Sequence, residues 1–335
     1  MVSAVLFITF FVLLVLNVPI SICLGLSSAA AILYSGTSLT IVATNIYSGI
    51  SKFLLLAIPF FVLSGNIMAK AGISTRLIRF VNTCVGHRKG GIANVCIIVA
   101  CFFGAISGSG PATVAALGAV LIPAMVERGG FSAPFATALM ATASSIAIVI
   151  PPSIAFVVYA SITGVSIGDM FMAGIVPGIL MGLALIVVVM LEVHKNHVVP
   201  SNVQKASAKE RLDAFKDAFW GFLMPVIILG GIYGGIFTPT EAAAVSVVYG
   251  LFVGMVIYKE VKLKDLWDIL IDSAKTTGGI MLIVACASLF SFVCTRFGIS
   301  AAASQLLAKV AGNQFTFLLI CNVIFLIAGC FIDAN

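Results

Sequence analysis

The chain has 335 residues, of which 61% are hydrophobic and only 9% are charged. Polar side chains are therefore too few to cover a water-soluble globule of this size, and lipid must be the solvent for most of the surface. The formal net charge of +6 comes from Lys and Arg residues in short loops between apolar runs. Membrane topology explains such loops, and nucleic-acid binding is not required.

Apolar segments follow one another along the whole chain, many of them near the roughly 20 residues that cross a bilayer. They cover residues 2 to 34, 53 to 70, 91 to 126, 132 to 164, 168 to 193, 217 to 237, 239 to 258, 277 to 296 and 313 to 332. An outer-membrane barrel would instead show alternating strands of about ten residues. The pattern predicts an all-α polytopic membrane protein. Because the first segment has no basic n-region and stays apolar to Tyr34, we expect no cleaved signal peptide.

Two of these segments are interrupted near their middle. Residues 91 to 126 are broken by Ser107-Gly108-Ser109-Gly110-Pro111, and residues 132 to 164 are broken by Pro151-Pro152-Ser153. Each half is short for a full crossing but suits a re-entrant hairpin or a discontinuous helix. We therefore predict a hairpin over 91 to 126 and a broken helix over 132 to 164.

Polar, amphipathic segments lie between the apolar ones, at Arg76 to Lys89, His194 to Lys216 and Lys259 to Lys275. We interpret them as helices in the headgroup region, with Trp267 as an interfacial anchor. If the 91 to 126 segment enters and leaves on one side, the basic clusters of all three fall on the same face. The positive-inside rule makes that face cytoplasmic.

A weak internal repeat links the two halves of the chain. The sequence Lys70-Ala71-Gly72-Ile73-Ser74 is echoed by Arg296-Phe297-Gly298-Ile299-Ser300, and the order of the flanking segments is kept. Loop parity gives the copies opposite orientations, which is typical of inverted repeats in secondary transporters. We predict a first half over 1–193, a cytoplasmic linker over 194–216 and a second half over 217–335. The repeat also leads us to expect that the second half continues beyond Asn335.

The broken segments carry the polar groups with the clearest chemical potential. At bilayer depth, exposed carbonyls are tolerated only when buried in protein or bound to a ligand. Hard cations take oxygen ligands, so the 107–113 run is either a cation site or a packing hinge of small residues. Adjacent Pro residues unwind a helix, so the break from Ser144-Ser145 to Ser153 is a second candidate. Two breaks that could meet favour a site over two unrelated kinks.

Other polar residues are weaker candidates. Glu241 follows Pro239 at an expected helix start, where a carboxylate caps the helix more often than it couples to an ion. Arg296 lies at the end of a span, which favours an interfacial anchor over a substrate ligand.

Short motifs in a fixed order give the sequence a specific resemblance. They are Leu56-Ala57-Ile58-Pro59-Phe60-Phe61, Val85-Gly86-His87, Gly104-Ala105-Ile106-Ser107-Gly108-Ser109, Ala115-Ala116-Leu117-Gly118, Leu121-Ile122-Pro123-Ala124-Met125, Ile150-Pro151-Pro152-Ser153-Ile154, Ala173-Gly174-Ile175-Val176-Pro177-Gly178 and Phe237-Thr238-Pro239-Thr240-Glu241-Ala242. Together they cover nearly the whole chain. The sequence resembles the large membrane (M) subunit of tripartite ATP-independent periplasmic (TRAP) transporters.

The resemblance implies an elevator-type symporter of the bacterial inner membrane. It would take up a small carboxylated solute, of the sialic acid or C4-dicarboxylate class, together with Na⁺. It would work with a small four-helix membrane (Q) subunit and a periplasmic solute-binding (P) protein. The chain would not be an enzyme, and the absence of a GxxxxGK[ST] loop agrees with a gradient as the energy source.

The same resemblance assigns residues to two kinds of site. The expected Na⁺ ligands are Ser107, Gly108, Ser109, Gly110, Ser144, Ser145, Pro151, Asp333 and Asn335. The expected substrate-binding residues are Ser107, Ser109, Pro152, Ser153 and Asp333. Asp333 would begin a second, pseudo-symmetric wall of the substrate cavity.

Two other functions compete with transport by symport. An intramembrane hydrolase would use Ser107 or Ser109 as nucleophile, but His87 is the only His before the hairpin and lies in a basic loop. A passive anion channel would need a pore lined by polar rings. Such a channel would move solute without an ion gradient or a binding protein.

Overall fold

A computed structural model describes residues 1–195 and 205–329 of the chain. Helices account for all the regular structure of these residues, and no strand occurs among them. The helices are α1 Val2–Val15, α2 Ile20–Tyr34, α3 Thr40–Ile50, α4 Ala57–Lys70, α5 Ile73–Val85, α6 Gly91–Ser107, α7 Gly110–Glu127, α8 Ala133–Val149, α9 Ile154–Thr163, α10 Ile167–Lys195, α11 Ala208–Tyr233, α12 Pro239–Phe252, α13 Asp265–Arg296, α14 Ile299–Val310 and α15 Gln314–Gly329. A 3₁₀ turn, Phe53–Leu56, precedes α4, and a π-helical turn, Val253–Ile257, continues α12.

The lengths of the helices confirm an all-α polytopic membrane protein. Within the described residues, six helices are long and apolar enough to cross a bilayer, counting α4 with its 3₁₀ turn and α12 with its π-helical turn. The pair α8 and α9 passes the same test as one span bent by 43°. This bend is the broken helix that the Pro151-Pro152-Ser153 sequence predicts.

The described residues form two compact units. One contains residues 1–52 and 278–329, and its core is built from Leu6, Ala31, Ile32, Leu289 and Val293. The other contains Phe53–Thr277 and holds the broken helix and both helices of the predicted hairpin. The division falls within α13.

In the larger unit, α6 is buried on nearly every side, as expected for a helix that is apolar all round. It packs against α8, and α4 packs against α12. At Gly104 the approach of α6 to α8 is close, because a Cβ placed there would lie 2.6 Å from Cα of Ala147. Glycine is needed at this crossing.

The two copies of the repeat begin their amphipathic helices in the same way. Gly72 precedes α5 with φ of +68°, and Gly298 precedes α14 with φ of +75°. Both glycines are in the left-handed region that other residues rarely adopt. The local structure of the shared Gly-Ile-Ser sequence is therefore repeated.

Three segments differ from the expectations drawn from the sequence. Residues 2 to 34 form two helices, separated where Pro19 removes a backbone donor. Helix α3 was not predicted, because Thr, Asn and Ser residues interrupt the apolar residues of its sequence. Residues 259 to 275 form a turn and the first part of α13 instead of a separate surface helix.

Candidate functional site

The tip of the predicted hairpin lies between α6 and α7. Helix α6 ends at Ser107, Gly108 takes a left-handed φ of +61°, and Ser109 caps α7. The Ser109 carbonyl accepts the hydroxyl of Thr113 at 2.8 Å, and Oγ of Ser107 lies 3.2 Å from Oγ1 of Thr113. The first bond lies within the start of α7, and the second contact links the end of α6 to α7.

The second break separates α8 from α9. Ile150 is extended, the Pro151–Pro152 peptide is cis, and Ser153 begins α9. The Ser153 hydroxyl donates to the carbonyl of Ile148 and accepts the N–H of Phe156 at 3.4 Å. One side chain therefore ties the end of α8 to the start of α9.

The structure brings the two breaks into direct contact. The N–H of Ile154 donates to the carbonyl of Gly108 at 3.4 Å. A Cβ placed on Gly108 would lie 2.7 Å from the carbonyl oxygen of Pro152, and one placed on Gly110 would lie 3.4 Å from that of Ser144. The glycines at the tip allow this close approach of backbone to backbone.

The last carbonyls of α6 and α8 have no donor from their own helix. In an uninterrupted helix the Ser107 carbonyl would accept from residue 111, and the Ala147 carbonyl from residue 151. Both of those residues are prolines, which have no N–H. As whole residues, Ser107 is 3% exposed and Ala147 is fully buried. Two helix C-termini, each with partial negative charge, thus end at the breaks.

A cavity of about 460 Å³ opens beside the hairpin tip. Its lining residues are Val62, Gly65, Asn66, Ala69, Phe103, Ser107, Ser109, Pro111, Ala112, Ala115, Ala116 and Thr276. The volume falls in the usual range of small-molecule sites. Its polar groups are hydroxyls and an amide, and the first turn of α7 forms part of its wall.

Comparison with known protein families gives this geometry a context. The model of the family described as "Tripartite ATP-independent periplasmic transporter, DctM component" matches residues 7–335. The chain belongs to this family. The resemblance inferred from the motifs is therefore confirmed, and both breaks lie inside the matched region.

Several relatives of this DctM-family chain are named after different anions. It is 42% identical to the C4-dicarboxylate TRAP transporter large permease protein DctM of Pseudomonas aeruginosa, over 93% of this chain and 73% of that one. It is 40% identical to the isethionate TRAP transporter permease protein DctMQ of Oleidesulfovibrio alaskensis, over 98% of this chain and 52% of that one. It is 36% identical to the sialic acid TRAP transporter large permease protein SiaM of Vibrio cholerae, over 91% and 71%.

The predicted site residues fall into three groups. Ser107 and Ser109 line the cavity. The contacts above bring together Gly108, Gly110, Ser144, Pro152 and Ser153, none of which lines the cavity. Pro151 lies beside this group because it precedes Pro152 in the sequence.

The remaining predictions have other outcomes. Ser145 donates to the carbonyl of Thr142, one turn back in α8, so its hydroxyl serves its own helix. Asp333 and Asn335 lie outside the described residues. Glu241 caps α12, because it bonds to the N–H of Thr238 at 2.8 Å while Thr238 Oγ1 accepts the N–H of Glu241. The capping role predicted for it is confirmed.

One wall of the cavity was missed by the sequence analysis. Gly65 of α4 lies against the hairpin, since a Cβ there would be 3.2 Å from Cα of Ser107. Beside it, Asn66 donates from Nδ2 to Ser273 of α13 at 2.8 Å and lines the cavity. The signal was available, because Ser64-Gly65-Asn66 interrupts an apolar segment and polar residues in spans often mark sites.

Proposed function

We propose that this protein is the large permease of a symporter that couples Na⁺ entry to the uptake of a small carboxylated solute. The coupling ion would bind where the hairpin tip meets the break between α8 and α9. The solute would bind in the adjoining cavity. Ser107 and Ser109 belong to the hairpin tip and line the cavity, which gives a direct route for coupling the two ligands.

The observation that carries the cation site is the pair of buried carbonyls at Ser107 and Ala147. A buried carbonyl that lacks its donor is costly unless another group satisfies it. Na⁺ is a hard cation that takes oxygen ligands, and the C-termini of α6 and α8 add partial negative charge. Discontinuous helices in transporters use these features to hold coupling ions. Among the described residues, no group of three or more His, Cys, Asp and Glu side chains could hold a metal ion.

The cavity beside the hairpin tip favours a negatively charged solute. Ser109, Pro111 and Ala112 of its lining form the first turn of α7. A helix N-terminus carries partial positive charge and free N–H groups, which favour a carboxylate. The Ser109 hydroxyl caps this turn only weakly, at 3.5 Å from the N–H of Ala112. That N–H therefore remains able to bind a solute oxygen.

The hydroxyl contacts do not favour hydrolysis. Oγ of Ser107 contacts Thr113 Oγ1 and the Ser109 carbonyl, and neither is a general base. The names of the relatives support transport. By analogy with the family name, we propose a periplasmic binding protein and a small membrane subunit as partners in a bacterial inner membrane. The DctMQ name of one relative agrees with such a subunit. An elevator movement of the hairpin unit belongs to the same proposal.

Uptake by purified components tests the proposed function. The permease and its small partner are reconstituted in liposomes, the binding protein is added outside with a labelled C4-dicarboxylate or sialic acid, and an inward Na⁺ gradient is imposed. We expect accumulation above the external concentration, and none when K⁺ replaces Na⁺. Equal uptake with K⁺, or equilibration without accumulation, would contradict symport and favour a passive channel.

A further inference from the structure

A second cavity, of about 410 Å³, lies among α5, α11 and the turn after α12. Its lining residues are Gly72, Thr75, Arg76, Arg79, Asp217, Ile257, Tyr258 and Glu260. It shares no lining residue with the cavity at the hairpin tip. Its lining contains two guanidinium groups and two carboxylates.

The surrounding helix ends place this cavity at the level of lipid headgroups. Helix α4 ends at Lys70, the π-helical turn ends at Ile257, and α13 begins at Asp265. These ends are packed together, because Ala71, Val261 and Ile269 form one buried cluster. Apolar spans end where the hydrocarbon core ends. Trp267, which is 69% exposed in the first turn of α13, is a side chain typical of the interface.

The backbone around the cavity has three unusual features. The π-helical turn widens the end of α12, and π turns frequently mark functional sites. Lys259 adopts φ of +56°, and the N–H groups of Glu260 and Val261 both donate to the carbonyl of Gly254 at 3.1 Å. This turn directs Glu260 towards Gly72, where any Cβ would collide with the carboxylate.

Arg76 and Tyr258 form the fixed part of the lining. Nη1 of Arg76 donates to the carbonyls of Ala71 and Gly72 at 2.9 and 3.1 Å, and Nη2 donates to Glu260 at 2.6 Å. Its guanidinium carbon lies 3.9 Å from the centre of the Tyr258 ring. The Tyr258 hydroxyl donates to the carbonyl of Asp217 at 2.6 Å. Burial raises the pKa of Tyr258 to about 12.

The rim of the cavity keeps hydrogen-bonding capacity. Arg79 donates from Nη1 to Oδ2 of Asp217 at 2.7 Å, which uses one of the several N–H groups of a guanidinium. The side chains of Arg79, Asp217 and Glu260 are 61%, 48% and 43% exposed. Exposed ion pairs of this kind are weak. A ligand with matching charges can therefore share these groups or replace the Arg79–Asp217 contact.

We propose that this cavity binds the headgroup of a phosphatidylethanolamine molecule. Its phosphate would bind Arg79, and its ammonium group would bind Asp217 and Glu260. The balance of charges in the lining favours a zwitterion, since an anionic headgroup would face two carboxylates. An ammonium group also donates hydrogen bonds to the carboxylates, which the quaternary amine of phosphatidylcholine does not do.

Thermal unfolding of the delipidated protein in detergent, with added lipid, tests this assignment. Dioleoyl phosphatidylethanolamine, phosphatidylcholine and phosphatidylglycerol are titrated separately, and the midpoint of unfolding is followed against lipid concentration. We expect phosphatidylethanolamine to act at concentrations about ten-fold lower than the other two, the effect of about one charge-assisted hydrogen bond. Equal potency of phosphatidylcholine or phosphatidylglycerol would overturn the proposal.

Variants connect the effect to the cavity. Arg79→Gln and Asp217→Asn should each abolish the preference for phosphatidylethanolamine, while Lys264→Gln, an exposed charge outside the lining, should keep it. The unliganded midpoints show whether each variant is folded, and the two variants test opposite ends of the headgroup. A preference that survives in both, or that is lost equally in Lys264→Gln, would overturn the proposal. Free phosphoethanolamine should have no effect at the same concentrations, and an equal effect would exclude a lipid as the ligand.

Discussion

The close contact between Gly108 and Pro152 makes Gly108→Val the most informative substitution at the hairpin tip. A non-glycine residue at φ of +61° costs about 1–2 kcal/mol. The new Cβ would also lie 2.7 Å from the Pro152 carbonyl oxygen, and such overpacking costs about 1–3 kcal/mol. This oxygen belongs to backbone held by Ser153 and cannot move like a flexible side chain. We therefore expect the tip to separate from the second break.

The expected consequence is a loss of Na⁺ affinity with the protein still inserted and folded. Displacing the tip would release about 2 kcal/mol of strain, and Na⁺ binding would have to restore it. This cost corresponds to more than a ten-fold rise in the Na⁺ concentration for half-maximal uptake. Coupling between ligands is reciprocal, so solute affinity at a fixed, subsaturating Na⁺ concentration should fall as well. The measurement is a Na⁺ titration of uptake in liposomes, with folding checked by size-exclusion chromatography.

Gly164→Val is a matched control. Gly164 has φ of +77° and no heavy atom within 4 Å of the position of a Cβ, so the substitution brings the backbone strain without the collision. It should leave the Na⁺ titration close to that of the wild type. If Gly108→Val also leaves it unchanged, or if both variants shift it equally, the contact between the breaks does not form the cation site and the tip is a packing hinge.

Three further predictions address the hydroxyl, the partners and the topology. Ser109→Ala should change half-maximal Na⁺ by less than about three-fold, because the cap bond is long and backbone carbonyls remain; a loss of all Na⁺-dependent uptake would show that the hydroxyl is an essential ligand. Omitting the binding protein should abolish uptake in liposomes, and full uptake by the membrane subunits alone would refute the tripartite assembly. Single cysteines replacing Arg88 and Lys205 should be labelled from the same, cytoplasmic side of oriented membranes, because both lie in basic clusters; labelling from opposite sides would refute the hairpin topology.

The sequence was most informative at glycine and proline, the residues with the most unusual backbone properties. Gly108 and the Pro151-Pro152 pair predicted both breaks, because one residue type tolerates left-handed φ and the other has no N–H. The Thr238-Pro239-Thr240-Glu241 sequence predicted a helix start for the same kind of reason, and the capping box is present. These signals are local and need no knowledge of the tertiary structure.

Contacts between distant segments were beyond such local signals. Asn66 and Ser273 meet across 207 positions of the sequence, and no periodicity relates them. The ion pairs of Arg76 with Glu260 and Arg79 with Asp217 span similar distances in the chain. Charge patterns predicted surface segments for Arg76, Arg79 and Glu260 but gave no pairing, because any loop of suitable charge could have supplied the partner.

Residues 111 and 151 are prolines and have no amide hydrogen. The proposed ion site therefore depends on main-chain oxygens that no N–H of these residues can occupy. A side chain that binds a cation can be truncated to test its role. Main-chain oxygen ligands cannot be removed in this way. The informative chemical change is an addition: a backbone N–H near Ser107 or Ala147 would compete with the cation for the same lone pairs. An added donor of this kind would lower cation affinity while the oxygen ligands stay the same.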